Sequence, residues 1–128
     1  MSAPAQRVAL CGCGQLRTIC RAEPRLVSAC HCLDCQRRTG SAFGVAAFWP
    51  REAVSAEGRA SVFTRLGASG LSIRFHFCPN CGSTVYWEPE RRPDMVAVAV
   101  GAFADPDFPP PSQAVWAERR HPWVALTV

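Results

Sequence analysis

Residues 71–88 read LSIRFHFCPNCGSTVYWE. Two runs rich in β-branched and aromatic residues, LSIRFHFC and STVYWE, flank a knuckle that carries Cys78 and Cys81. Such runs, bounded by turn residues, read as strands. CPNCG bends the chain so that two sulfurs converge, and Gly82 permits the backbone angle such turns often require. Upstream, SVFTRL and LSIRFHFC enclose GASG, a hairpin signal. Downstream, PERRPD reads as a turn, and MVAVAVGAF is apolar and β-branched, which predicts a buried strand.

The same pattern continues toward the N-terminus. LRTICR alternates as a strand does, and LVSACHC is a second short strand that runs into a cysteine cluster. QRRTGSAF predicts one turn of helix and then a loop at Gly40; GVAAFWP is a strand stopped by Pro50; REAVSAEGRA is a loop or short strand turning at Glu57-Gly58. After the buried strand, DPDFPPPSQAVWAERRHPWVAL is rich in proline but carries Trp116 and Trp123, so it is expected to wrap the core. The reading is an all-β domain with little helix over residues 8–128, preceded by a flexible tail at 1–7.

The chain has 128 residues, which suits one hydrophobic core. No apolar run approaches the roughly 18 residues of a membrane span, and the N-terminus has no apolar block long enough for a signal peptide. A cytoplasmic location is the default expectation, with no membrane partner. The net charge is +4, and all 14 basic residues are arginine. They are spread from Arg7 to Arg120 with no block of five or six, so no nucleic-acid partner is expected.

Eight cysteines are the unusual feature. A reducing compartment argues against disulfides, and the spacings C-x-C, C-x-C-x-x-C and C-x-x-C suit a shared ion better than mutual bridging. Cys11 and Cys13 in CGCG, with Cys78 and Cys81, make a four-thiolate set of the kind that closes around a structural zinc. That zinc would staple the N-terminal strand to the hairpin. Cys30, Cys32 and Cys35 supply three thiolates and leave a tetrahedral vertex free, as catalytic zinc does. Cys20 alternates with Leu16 and Thr18 and reads as a small core residue; the alternative is a fourth ligand that would close the second site. His31 could also ligate, but it lies between two metal-facing cysteines and is expected to face away and to hydrogen-bond behind the ligands. Either Arg37 or Arg38 could grip a carboxylate of an acidic thiol, and Thr39 and Ser41 are substrate-contact candidates by proximity.

With these motifs in place the sequence resembles the glutathione-dependent formaldehyde-activating (CENP-V/GFA) family. The matching pieces are CGCG at 11–14, CHCLDCQRRTGSAF at 30–43, FHFCPNCGSTVYWE at 75–88 and HPWV at 121–124. The resemblance implies an Mss4-like fold of folded β-sheets. It implies a structural zinc on Cys11, Cys13, Cys78 and Cys81, and a second, catalytic zinc on Cys30, Cys32 and Cys35. It implies carbon–sulfur lyase chemistry on a glutathione–aldehyde adduct of the S-hydroxymethylglutathione type. The competing expectation is a zinc-stabilised binding module, which needs closed metal sites where an enzyme needs a reachable one.

Overall fold

The computed structural model describes residues 6–128. Ten strands form two sheets. Strands β1 (Gln6–Leu10), β2 (Arg17–Arg21) and β5 (Val54–Glu57) make a small antiparallel sheet in the order β1-β2-β5. The large sheet contains β3 (Leu26–Cys30), β4 (Gly44–Pro50), β6 (Ser61–Leu66), β7 (Ser72–Phe77), β8 (Thr84–Pro89), β9 (Met95–Ala99) and β10 (Gln113–Val115). Its order is β10-β3-β4-β9-β8-β7-β6; every pairing is antiparallel except that of β10 with β3. One helix, α1 (Leu33–Thr39), joins β3 to β4. This is the mostly β architecture that the alternating and β-branched runs predict.

Period-two alternation sends the two faces of the large sheet to different fates. From β4, β8 and β9, residues Ala47, Trp49, Val85, Val96 and Val98 are buried in one cluster with Ala9, Leu16 and Cys20 of the small-sheet side. The alternate residues Phe48 and Ala97 form a second cluster on the opposite face with Phe75 and Trp87; Trp87 reaches that face although it is two residues from Val85, because the β7–β8 register shifts between His76 and Phe77. Strand β9 needs apolar side chains on both faces, which is why MVAVA shows no alternation. Trp49 is fully buried and its indole Nε1 donates to the carbonyl of Ala22 at 3.1 Å, so its one polar atom is satisfied.

Three expectations need correction. Of the tail expected at 1–7, residues 1–5 lie outside the described residues, and Gln6 and Arg7 already belong to β1, where Arg7 pairs with Glu23 at 3.0 Å. The helix begins before QRRT and includes Cys35, because Cys32 caps it: its sulfur accepts from the Cys35 backbone N–H at 3.3 Å. In the C-terminal segment Phe108 and Val124 are the buried anchors, while Trp116 and Trp123 are 47% and 75% exposed. Among the described residues no helix is long and apolar enough to cross a membrane.

Candidate metal centres

The sulfurs of Cys11, Cys13, Cys78 and Cys81 all lie within 4.8 Å of one another. Cys11 and Cys13 sit in the turn after β1, and Cys78 and Cys81 in the knuckle between β7 and β8. The group therefore links the small sheet to the large one. The Cys11–Cys13 and Cys13–Cys78 separations are both 3.7 Å. Four sulfurs around a tetrahedral ion with bonds near 2.3 Å stand about 3.8 Å apart, so the residues fit zinc.

Amides around the group point at the sulfurs. The Leu16 N–H donates to Cys11 Sγ at 3.3 Å and the Asn80 N–H to Cys78 Sγ at 3.3 Å. The Gln15 side chain reaches further: its Nε2 donates to Cys78 Sγ at 2.9 Å and to the Arg59 carbonyl at 2.7 Å, while its Oε1 accepts from the Arg59 N–H at 2.9 Å. Such donors hold ligand thiolates in place. Gln15 escapes a sequence reading because its partners are 44 and 63 residues away. Gly82 has φ +81° and its N–H donates to the Cys78 carbonyl at 2.8 Å, the backbone shape the knuckle was expected to need. CGC converges through a turn, closed by the Cys11 N–H on the Leu16 carbonyl at 2.9 Å, and not through strand alternation.

Cys30, Cys32 and Cys35 form the second group, again with sulfurs within 4.8 Å of one another. Cys30 ends β3, Cys32 caps α1, and Cys35 lies in its first turn. Cys35 is held down at about 5 by its hydrogen bond with Cys30, against the opposing effect of burial, and then by Cys32 and the charge of Arg38; Cys30 is pushed up in return. The remaining two candidates stay out. Cys20 is fully buried in the core, and burial pushes its thiol up to about 12. His31 is 1% exposed, tilts against Phe43 with ring centroids 5.6 Å apart, and its Nδ1 has no hydrogen-bond partner.

The two groups differ in what surrounds them. Cys30, Cys32 and Cys35 open into a cavity of about 640 Å³ on the face of the large sheet that carries Phe48 and Trp87. The four-cysteine group does not line this cavity. Arg38, Arg65, Arg91, Arg92 and Arg119 line it, with Asp34 as the one carboxylate. Asp34 pairs with Arg65 at 3.4 Å. Arg38, Arg91, Arg92 and Arg119 have no carboxylate partner among the described residues. Of the substrate-contact candidates, Arg37, Thr39 and Ser41 are exposed and do not line the cavity. The Thr39 hydroxyl instead donates to the Cys35 carbonyl at 2.8 Å, and the Ser41 N–H donates to Thr39 Oγ1 at 3.2 Å, so both residues close the end of α1.

A family described as "Glutathione-dependent formaldehyde-activating enzyme" matches residues 6–119. A crystal structure of a Rhodobacter sphaeroides protein, a structural-genomics target, superposes with a TM-score of 0.56 at 20% identity, over 74% of this chain and 85% of that one. That likeness shows the fold. No curated protein matches the chain.

Proposed function

The chain belongs to the family of glutathione-dependent formaldehyde-activating enzymes, and on that premise we propose that it is a zinc-dependent enzyme of the carbon–sulfur lyase type. Its substrate is the adduct of glutathione with an aldehyde, of the S-hydroxymethylglutathione kind. The observation that carries this reading is the asymmetry of the cysteine groups: four cysteines with no access to the cavity, and three that open into it. A closed set serves structure and an open set serves a ligand.

In this reading Cys11, Cys13, Cys78 and Cys81 hold one zinc ion, and Cys30, Cys32 and Cys35 hold another. Bound at the open set, zinc supplies a Lewis acid that keeps an incoming sulfur in its thiolate form. The chain's own residues do the rest. Trp87, Phe48 and Ala46 give the cavity an apolar floor that sheds water from the reacting carbon. Arg91, Arg92 and Arg119 offer guanidinium groups to carboxylates remote from the sulfur, as glutathione has. The volume is in the range of small-molecule sites, roughly 300–1,000 Å³. Thiol addition to formaldehyde is easy in solution, so holding the two partners together is the main contribution required.

The test loads the chain with zinc and follows glutathione with ¹³C-formaldehyde by exchange spectroscopy. Adduct formation and breakdown are expected to run faster than in free solution, and Cys35→Ser is expected to abolish the gain. Exchange at the solution rate with the zinc-loaded wild type would remove the enzymatic reading.

A further inference from the structure

Arg38 stands where the three-cysteine group meets the cavity. Its guanidinium lies 4.3 Å over the Trp87 ring and 5.7 Å from the Phe75 centroid. Its Nε is buried without a hydrogen-bond partner. No carboxylate pairs with it among the described residues; Asp34, the acid nearest in sequence, is engaged by Arg65. A guanidinium stacked on an aromatic face, desolvated at Nε and without a carboxylate partner, is a positive charge held beside the three-cysteine group.

Gly44 shows how closely Arg38 and Cys35 approach. A Cβ built on Gly44 would stand 2.8 Å from Arg38 Nη2 and 3.5 Å from Cys35 Cβ. The guanidinium occupies space that any other residue at position 44 would fill. Cys35 and Arg38 are also three apart on α1 and so share a helix face.

Resting on the function proposed above, we infer that Arg38 is the specificity-determining residue of this cavity, selecting an anionic sulfur as the fourth partner of the Cys30–Cys32–Cys35 group. Three thiolates and a dication carry a net charge of −1. A thiol that arrives and gives its proton to solvent takes the assembly to −2, whereas water adds no charge. A fixed cation within a few ångströms favours the first over the second. Arg38 is suited to this because the Trp87 stack orients it while no acid cancels it. Its effect acts at the sulfur, so it applies to any thiol; Arg91, Arg92 and Arg119 read the rest of the ligand.

The experiment uses the zinc-loaded chain and its cobalt-substituted form. Zinc-edge X-ray absorption counts sulfurs per metal, and the visible cobalt spectrum titrates two thiols: glutathione, which has carboxylates, and 2-mercaptoethanol, which has none. Arg38→Ala is expected to weaken both thiols tenfold or more, about 1.4 kcal/mol. Arg38→Lys keeps the charge but loses the planar stack on Trp87, and is expected to recover only part of the binding lost in Arg38→Ala, for both thiols alike. Gly44→Ala serves as a second route: its backbone lies outside the left-handed region, and the one short contact its Cβ would make is with the far end of the Arg38 side chain, so the fold tolerates it. It is expected to weaken both thiols as Arg38→Ala does, and to add nothing in the Arg38→Ala background. Circular dichroism and retention of the four-cysteine metal verify folding. Unchanged binding of both thiols in Arg38→Ala overturns the inference while leaving the proposed function standing. Loss confined to glutathione also overturns it, since that marks Arg38 as a carboxylate anchor. A wild type that takes up no fourth sulfur from either thiol overturns both.

Discussion

Gln15 shows how much of a metal site rests on a side chain that ligates nothing. It touches Cys78 Sγ with one N–H and clamps both backbone groups of Arg59. It thus ties the loop between β5 and β6 to the four-cysteine group. Glycine at position 58 follows from the same contact: φ is +95°, and a Cβ there would fall 1.9 Å from the Gln15 carbonyl oxygen. Partners of this kind typically contribute 10–100-fold to metal affinity. Gln15→Ala is therefore expected to weaken zinc at this group by about that factor while Cys30, Cys32 and Cys35 keep theirs. Competition with a chromophoric chelator, resolving two classes of site, measures it. Equal weakening of both classes would mean that Gln15 acts on the fold at large.

Among the elements, α1 does the most for its length. Seven residues present Cys35 and Arg38 to the cavity, and Gln36 to the C-terminal segment. Gln36 Nε2 donates to the carbonyls of His31 at 2.9 Å and Arg119 at 3.3 Å, and its Oε1 lies 3.0 Å from His121 Nε2. The segment it holds includes β10, three residues long, and forms one wall of the cavity through Val115, Trp116 and Arg119. Trp116 has φ +55°, an uncommon conformation for a bulky residue, so this wall is held in place against some strain. A short edge strand has little stability of its own. Gln36→Ala is expected to speed amide exchange across residues 113–121 by about tenfold, with less than about 1.5 kcal/mol lost globally. Hydrogen-exchange mass spectrometry gives the answer; exchange unchanged in that peptide would show that β10 alone secures the segment.

At the scale of the whole molecule, the four-cysteine group is the place where the small sheet and the large sheet are joined by chemistry as well as by packing. Zinc at such a group contributes on the order of 10 kcal/mol to folding, comparable to the total stability of a domain. Cys11→Ser and Cys81→Ser are each expected to lower the melting temperature by more than about 10 °C or to prevent folding. Cys35→Ser lies on the opposite face of the large sheet, at a group that joins β3 to its own following helix. It is expected to shift melting by only about 2–3 °C while losing the second metal. Calorimetry of the three variants, with metal content measured on each, tests the division; equal losses in all three would refute it.

The cysteine groups and most of the strands were legible in the sequence, because each depends on residues close together in the chain. C-x-C, C-x-x-C and the period-two runs carry their geometry with them, and Cys20 was recognisable as core from its place in one such run. The capped start of α1 was also written there, in a helix phase that puts Arg38, three residues from Cys35, on its face and turns Arg37 away; reading the helix from Gln36 hid that signal. What only the tertiary structure decided is the cavity. Its walls come from α1, β3, β4, the β6–β7 hairpin, β8 and the turn after it, and β10 and the segment after it, so Arg65, Arg91, Arg92 and Arg119 line one cavity with Arg38 through sheet order and register. No local spacing records such a meeting, because strands far apart in sequence are brought side by side by the burial of the other face of the sheet, on which none of these arginines lies.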